Sequence, residues 1–138
     1  MFNVLSEISW LGVLAATVAT FLLGGAWFMG LFKTQYASSL GRTDSSDQTP
    51  SAIFIVGPLV CGAVVNFTDA LLLRALHVTS YRDALIFGAI TGAGYLVAQT
   101  VNIAINPNFP RPFYYSAISG SNFFLGNLIA CAILVAMT

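Results

Sequence analysis

Long apolar runs alternate with short polar breaks along this chain, and the runs have the length of membrane spans. They cover residues 8–33, 51–77, 81–106 and 112–137, each near the ~20 residues a helix needs to cross hydrocarbon. No period-two alternation persists anywhere, which excludes a barrel. The pattern predicts an all-α membrane protein: one domain over residues 1–138, four transmembrane helices in an up-and-down bundle, both termini on the same side. Residues 34–50 are the one sizeable polar loop. Thr49-Pro50 reads as an N-cap followed by a first-turn proline. Pro58 lies one turn inside the second run and can kink it. Ser80 and Asp83 fit a capping box, and the prolines of Asn106 to Pro112 form a stiff turn.

Two strips of small residues recur at helical spacing. Gly12, Ala16, Thr20 and Gly24 mark one face of the first run, and Ala84, Gly88 and Gly92 mark one face of the third. Without bulky side chains, helices approach closely, so both strips are expected packing faces.

The few polar residues inside the runs gather in depth. Asn66 and Asp69, three apart, share a helix face. Counting ~1.5 Å of rise per residue from the long-loop end, Asn66, Asp69, Asn127, Thr91 and Thr20 all fall ~20–25 Å up. Trp27, Tyr95, Gln99, Ser119 and Asn122 make a second level at ~9–16 Å. Gln99, Asn102 and Asn106 follow one face by three- and four-residue steps. A carboxylate at membrane depth costs about 2.5–3.5 kcal/mol on insertion scales. The expectation is therefore that both levels face the bundle interior, with Asp69 as the hub that the amides and hydroxyls answer. Arg74, five residues on, is expected to leave for the interface.

Composition narrows the classes. The chain is 57% hydrophobic and 7% charged, where soluble domains carry about 25% charged residues. Its net charge is zero, which leaves no basic stripe for nucleic acid. Cys61 and Cys131, 70 positions apart, make neither a disulfide framework nor a metal spacing and read as buried thiols. A single His and no Ser–His arrangement argue against metal or nucleophilic catalysis, so no enzyme activity, cofactor or metal is expected. The first run is too long for a signal-peptide core and reads as a retained span. Lys33, Arg42 and Arg111 lie on the long-loop side, against Arg74 and Arg82 opposite, which makes the long-loop side the cytoplasmic one.

Phe21-Leu22-Leu23-Gly24-Gly25-Ala26-Trp27-Phe28, followed by Leu31-Phe32, Gln35-Tyr36 and Leu40-Gly41, resembles the opening of the DUF1761 family. That family consists of small four-span bacterial membrane proteins of unknown function. Phe28 stands where the family has Tyr, Tyr36 where it has Trp, and Lys33-Thr34 replaces a Gly-Lys pair. The resemblance implies four spans in a bacterial inner membrane and implies no activity or site residue.

Two functional expectations follow. The first is a passive component in the lipid bilayer that self-associates, or joins a larger membrane complex, through the small-residue strips. The second is an oligomeric channel or transporter for protons, cations or a small solute built on Asp69, Asn66 and Asn127.

Overall fold

The computed structural model describes residues 3–42 and 51–138. The expected N-cap at Thr49-Pro50 lies outside the described residues. Four helices are long and apolar enough to cross a membrane: Trp10–Leu31, Ile53–Ala75, Tyr81–Ala104 and Pro112–Ala136. These are the four spans, and the chain is an all-helical, multi-pass membrane protein. Consecutive spans run in opposite directions. Arg74 near the end of span two donates its Nε proton to the Glu7 carbonyl before span one, at 3.1 Å. Arg111 before span four reaches Ser38 beyond span one.

Span one starts at α1 (Trp10–Ala26), which Ser9 caps by accepting the Gly12 N–H at 3.1 Å. A π-helical turn, Trp27–Leu31, closes it. A short helix α2 (Lys33–Ser39) then carries the chain into what the sequence marks as loop. Span two is α3 (Ile53–Ala75), continuous through Pro58. It ends on His77, whose φ of 55° is left-handed. The Val78 N–H returns to Leu73 O and the His77 N–H to Arg74 O, the paired bonds of a Schellman cap. Span three comprises α4 (Tyr81–Thr91), a π-helical turn Gly92–Val97, and α5 (Ala98–Ala104). The expected capping box starts it: Ser80 Oγ accepts from the Asp83 N–H and donates to its carboxylate at 2.8 Å. Span four is α6 (Pro112–Ala136).

Span four is the central helix. Of its most apolar stretch 56% is buried, against 17–22% in the other three. The reason is in its sequence: Ser116, Ser119, Gly120, Asn122, Gly126, Asn127, Ala130 and Cys131 are small or polar, and all are buried. Larger residues look outward on every span, among them Leu14, Leu22, Val60, Ile90 and Phe113, which gives the apolar perimeter that lipid requires.

Both small-residue strips pack inside the bundle. A Cβ on Gly12 would lie 3.3 Å from the Met137 Cβ. Thr20 rests its methyl beside Gly126, and Ala16 and Ala84 are fully buried. A Cβ on Gly88 would come within 3.1 Å of the Cys131 Sγ, and one on Gly92 within 3.2 Å of Phe124. The strips expected to serve self-association are therefore consumed within one chain.

The apolar core lies toward one end, where Ile8, Val13, Ala70, Leu73, Ala130, Leu134 and Val135 meet. Span two joins it through one stripe: Asn66, Asp69, Ala70 and Leu73, at the i, i+3, i+4, i+7 spacing of a helix face. Its first half, Ile53 to Cys61, is exposed or half-exposed throughout. Cys61, expected to be buried, faces outward, whereas Cys131 is fully buried.

Candidate functional site: a buried carboxyl beside two amide clusters

The polar layer exists, but as two hydrogen-bonded clusters rather than one. Between spans one and two, Asn66 Nδ2 donates to Thr17 Oγ1 at 3.3 Å and to Thr20 Oγ1 at 3.2 Å. Those hydroxyls donate in turn to the Val13 and Ala16 carbonyls of their own helix. Between spans three and four, Asn127 Nδ2 donates to the Gly88 carbonyl at 2.9 Å and to Thr91 Oγ1 at 2.8 Å. Adjacent residues of span four connect the halves, since Gly126 touches Thr20 and Asn127 bonds to Thr91. Asn66, Asn127, Thr91 and Thr20 thus lie at one level, as helical rise predicts.

Asp69 belongs to neither cluster. It is 5% exposed, and its Oδ2 has no hydrogen-bond partner. Among the described residues no Lys or Arg approaches it. Its expected role as the hub of the network is therefore not what the structure shows: Asn66 turns its amide to the threonines instead. Cys131 of span four is fully buried in the apolar core that Ala70 and Leu73, on the same stripe as Asp69, help to form. Asp69 also sits off-centre. Six residues separate it from the end of α3 at Ala75, or ~9 Å of helix. Arg74 points away from Asp69 toward that end of the bundle. Half-buried and tethered to the Glu7 carbonyl, it lines a small cavity with Ser9, Leu73, Leu134 and Thr138.

The second expected level divides. Trp27 donates its Nε1 proton to the Ile118 carbonyl at 3.0 Å, and Ser119 and Asn122 are buried near it. Ser119 Oγ and Asn122 Nδ2 have no partner. Tyr95, at 73% exposed, and Gln99 point outward, as does Asn102. The π turn at Gly92–Val97 explains this. Regular α spacing from Gly88 and Gly92 leads to Tyr95, Gln99 and Asn102. A π turn holds one extra residue and advances the register by one. The inward positions after it are Thr100 and Ala104.

The end near the long loop is aromatic. Trp27 packs on Phe32 with ring centroids 4.6 Å apart, Phe28 on Tyr36 at 4.8 Å, and Tyr36 on Tyr115 at 5.9 Å. Burial pushes the Tyr36 phenol above its ordinary value, Tyr115 adds to the shift, and Arg42 opposes it. Gly24, Trp27, Phe28, Phe32 and Tyr36 are residues of the stretch that carries the family resemblance, and four of them build this end. A family model described as a protein of unknown function, DUF1761, matches residues 11–135.

The chain belongs to the DUF1761 family. No curated protein and no solved structure matches it. The DUF1761 match spans all four helices, so the clusters, the buried acid and the aromatic end all lie within it. Among the described residues of this DUF1761 chain, no three His, Cys, Asp or Glu side chains come together as metal ligands would. Sequence reasoning missed Cys131 as a member of the core that the Asp69 stripe joins. Its spacing of four from Asn127 is a usable signal, because it places both on one face of span four.

Proposed function

We propose that this protein is a non-enzymatic bundle of a bacterial inner membrane that reversibly binds a proton on Asp69. The observation that supports the reading is a carboxyl oxygen, nearly sealed from solvent, with no hydrogen-bond partner. Acids inside a membrane are costly and rare, and those found there commonly belong to proton or ion sites. The amides need no such reading: Asn66 and Asn127 bridge helices, at ~0.6 kcal/mol per bond in a measured bundle. Asp69 shares its helix stripe with Ala70 and Leu73 of the apolar core, where an unpaired charge is costly and a bound proton removes it. With Asp69 only 5% exposed, a gated site is favoured over an open pore. A second copy or a larger membrane partner would meet the apolar perimeter, since the small-residue strips are taken.

Infrared difference spectroscopy of the protein in lipid tests this. Between acid and alkaline pH, the wild type shows a titrating C=O stretch at the frequency of a carboxylic acid without hydrogen bonds. Asp69→Asn lacks that band and keeps its helical circular dichroism. The same band in both proteins would sink the reading. A band that shifts with sodium or potassium concentration would make the ligand a metal cation instead.

A further inference from the structure

We propose a binding site for the phosphate headgroup of an anionic phospholipid at the aromatic end of the bundle, formed by Arg42 and Arg111. The backbone brings the turns that carry these two arginines into contact. Helix α2 ends in a Schellman cap: the Arg42 N–H bonds Ala37 O at 3.0 Å and the Gly41 N–H bonds Ser38 O at 3.1 Å. Gly41 takes the left-handed conformation this requires, with φ 70°. Its open face lies against Pro110, where a Cβ would meet the proline Cγ at 3.1 Å. Arg42 follows Gly41 and Arg111 follows Pro110, so the contact between the two turns brings the two arginine positions near each other at one end of the bundle. Arg111 is steadied further, since its Nη1 donates to Ser38 Oγ at 3.0 Å. Both are exposed.

Three further features point to a lipid phosphate. The guanidinium fork presents paired donors that match phosphate oxygens. The rings of Tyr36, Tyr115 and Phe109 cluster at the same end of the bundle, with Phe109 and Tyr115 4.7 Å apart, and such rings sit at headgroup level in a bilayer. Among the described residues, Lys33 adds charge at this end and no carboxylate opposes it. Glu7 and Asp83 lie at the other end and Asp69 is buried. Asp44 and Asp47 lie outside the described residues.

Retention of phosphatidylglycerol on detergent-purified protein, read by native mass spectrometry against phosphatidylcholine, tests the site. Wild type should hold phosphatidylglycerol about thirtyfold better than the Arg42→Gln/Arg111→Gln variant, the combined effect of two basic residues at a lipid surface. Ser38→Ala keeps both charges but frees Arg111, and should weaken retention several-fold. Arg82→Gln, at the opposite end, should retain the lipid as wild type does. Equal retention by wild type and the double variant would overturn the proposal, and so would an equal loss in Arg82→Gln. No loss in Ser38→Ala would show diffuse charge rather than a built site. Competition by inorganic phosphate at equal concentration would make the ligand a soluble anion and overturn the lipid assignment.

Discussion

Gly88 shows how tightly single residues control this bundle. Its missing side chain lets span four bring Cys131 and the Asn127 carbonyl against the backbone of span three. In Gly88→Ala the new methyl would sit 3.1 Å from Sγ and 3.3 Å from Cβ of Cys131. Overpacking of this kind costs about 1–3 kcal/mol. The expected outcome is lower resistance to denaturing detergent, only partly restored by Cys131→Ala because the Cβ contact persists. Tyr36 makes a second prediction. Its phenol is held neutral by burial, so its folded pKa exceeds the unfolded one. The stability this contributes is complete below the unfolded pKa, near 10, and is lost as pH rises through the folded value. Tyr36→Phe should therefore flatten the alkaline limb of a thermal-stability profile and leave the neutral region unchanged.

At the scale of elements, π-helical turns decide which side chains face inward. Span three keeps Ala84, Gly88 and Gly92 toward span four, passes the turn at Gly92–Val97, and resumes with Thr100 and Ala104 inside. Spin labels read this directly. A label at Gln99→Cys should collide freely with oxygen dissolved in lipid, while one at Thr100→Cys should be immobile and shielded. A reversed result would mean that the helix is regular through Gly94. The same element shows where reading the chain fails. Steps of three and four residues locate Gly88 and Gly92 correctly and then place Tyr95 and Gln99 inside, since nothing local in Gly92-Ala93-Gly94 announces an extra residue in the turn. Span two differs again. Its stripe from Asn66 to Leu73 engages the core while Ile53 to Cys61 meets lipid, and the lipid-facing part is the more apolar one, since Asn66 and Asp69 both lie in the part that packs.

The whole molecule is organised around span four, with small and polar groups at the centre and large apolar ones outside. Hydrocarbon supplies no hydrophobic drive between helices, so close approach and hydrogen bonds must hold them. Gly126 lies where a Cβ would meet Thr20 Cγ2 at 3.7 Å, just enough room for a methyl. Gly126→Leu should separate spans one and four and reduce the folded fraction. Ile90→Ala, at a position 65% exposed, should change stability by no more than about 0.5 kcal/mol. Equal behaviour of the two variants in an unfolding assay would contradict the central place of span four.

By itself the sequence determined the class, the four spans, the cap at Ser80 and the depth of Asn66, Thr20, Thr91 and Asn127. Run length, turn chemistry and helical rise are properties of the chain taken locally. Only the tertiary structure decided that Asn66 turns to the threonines and leaves Asp69 unanswered, that the small-residue strips are used up within one chain, and that Tyr95 and Gln99 face outward. Each of those depends on which neighbour competes for a given donor or groove. Such competition exists only once all four helices stand together.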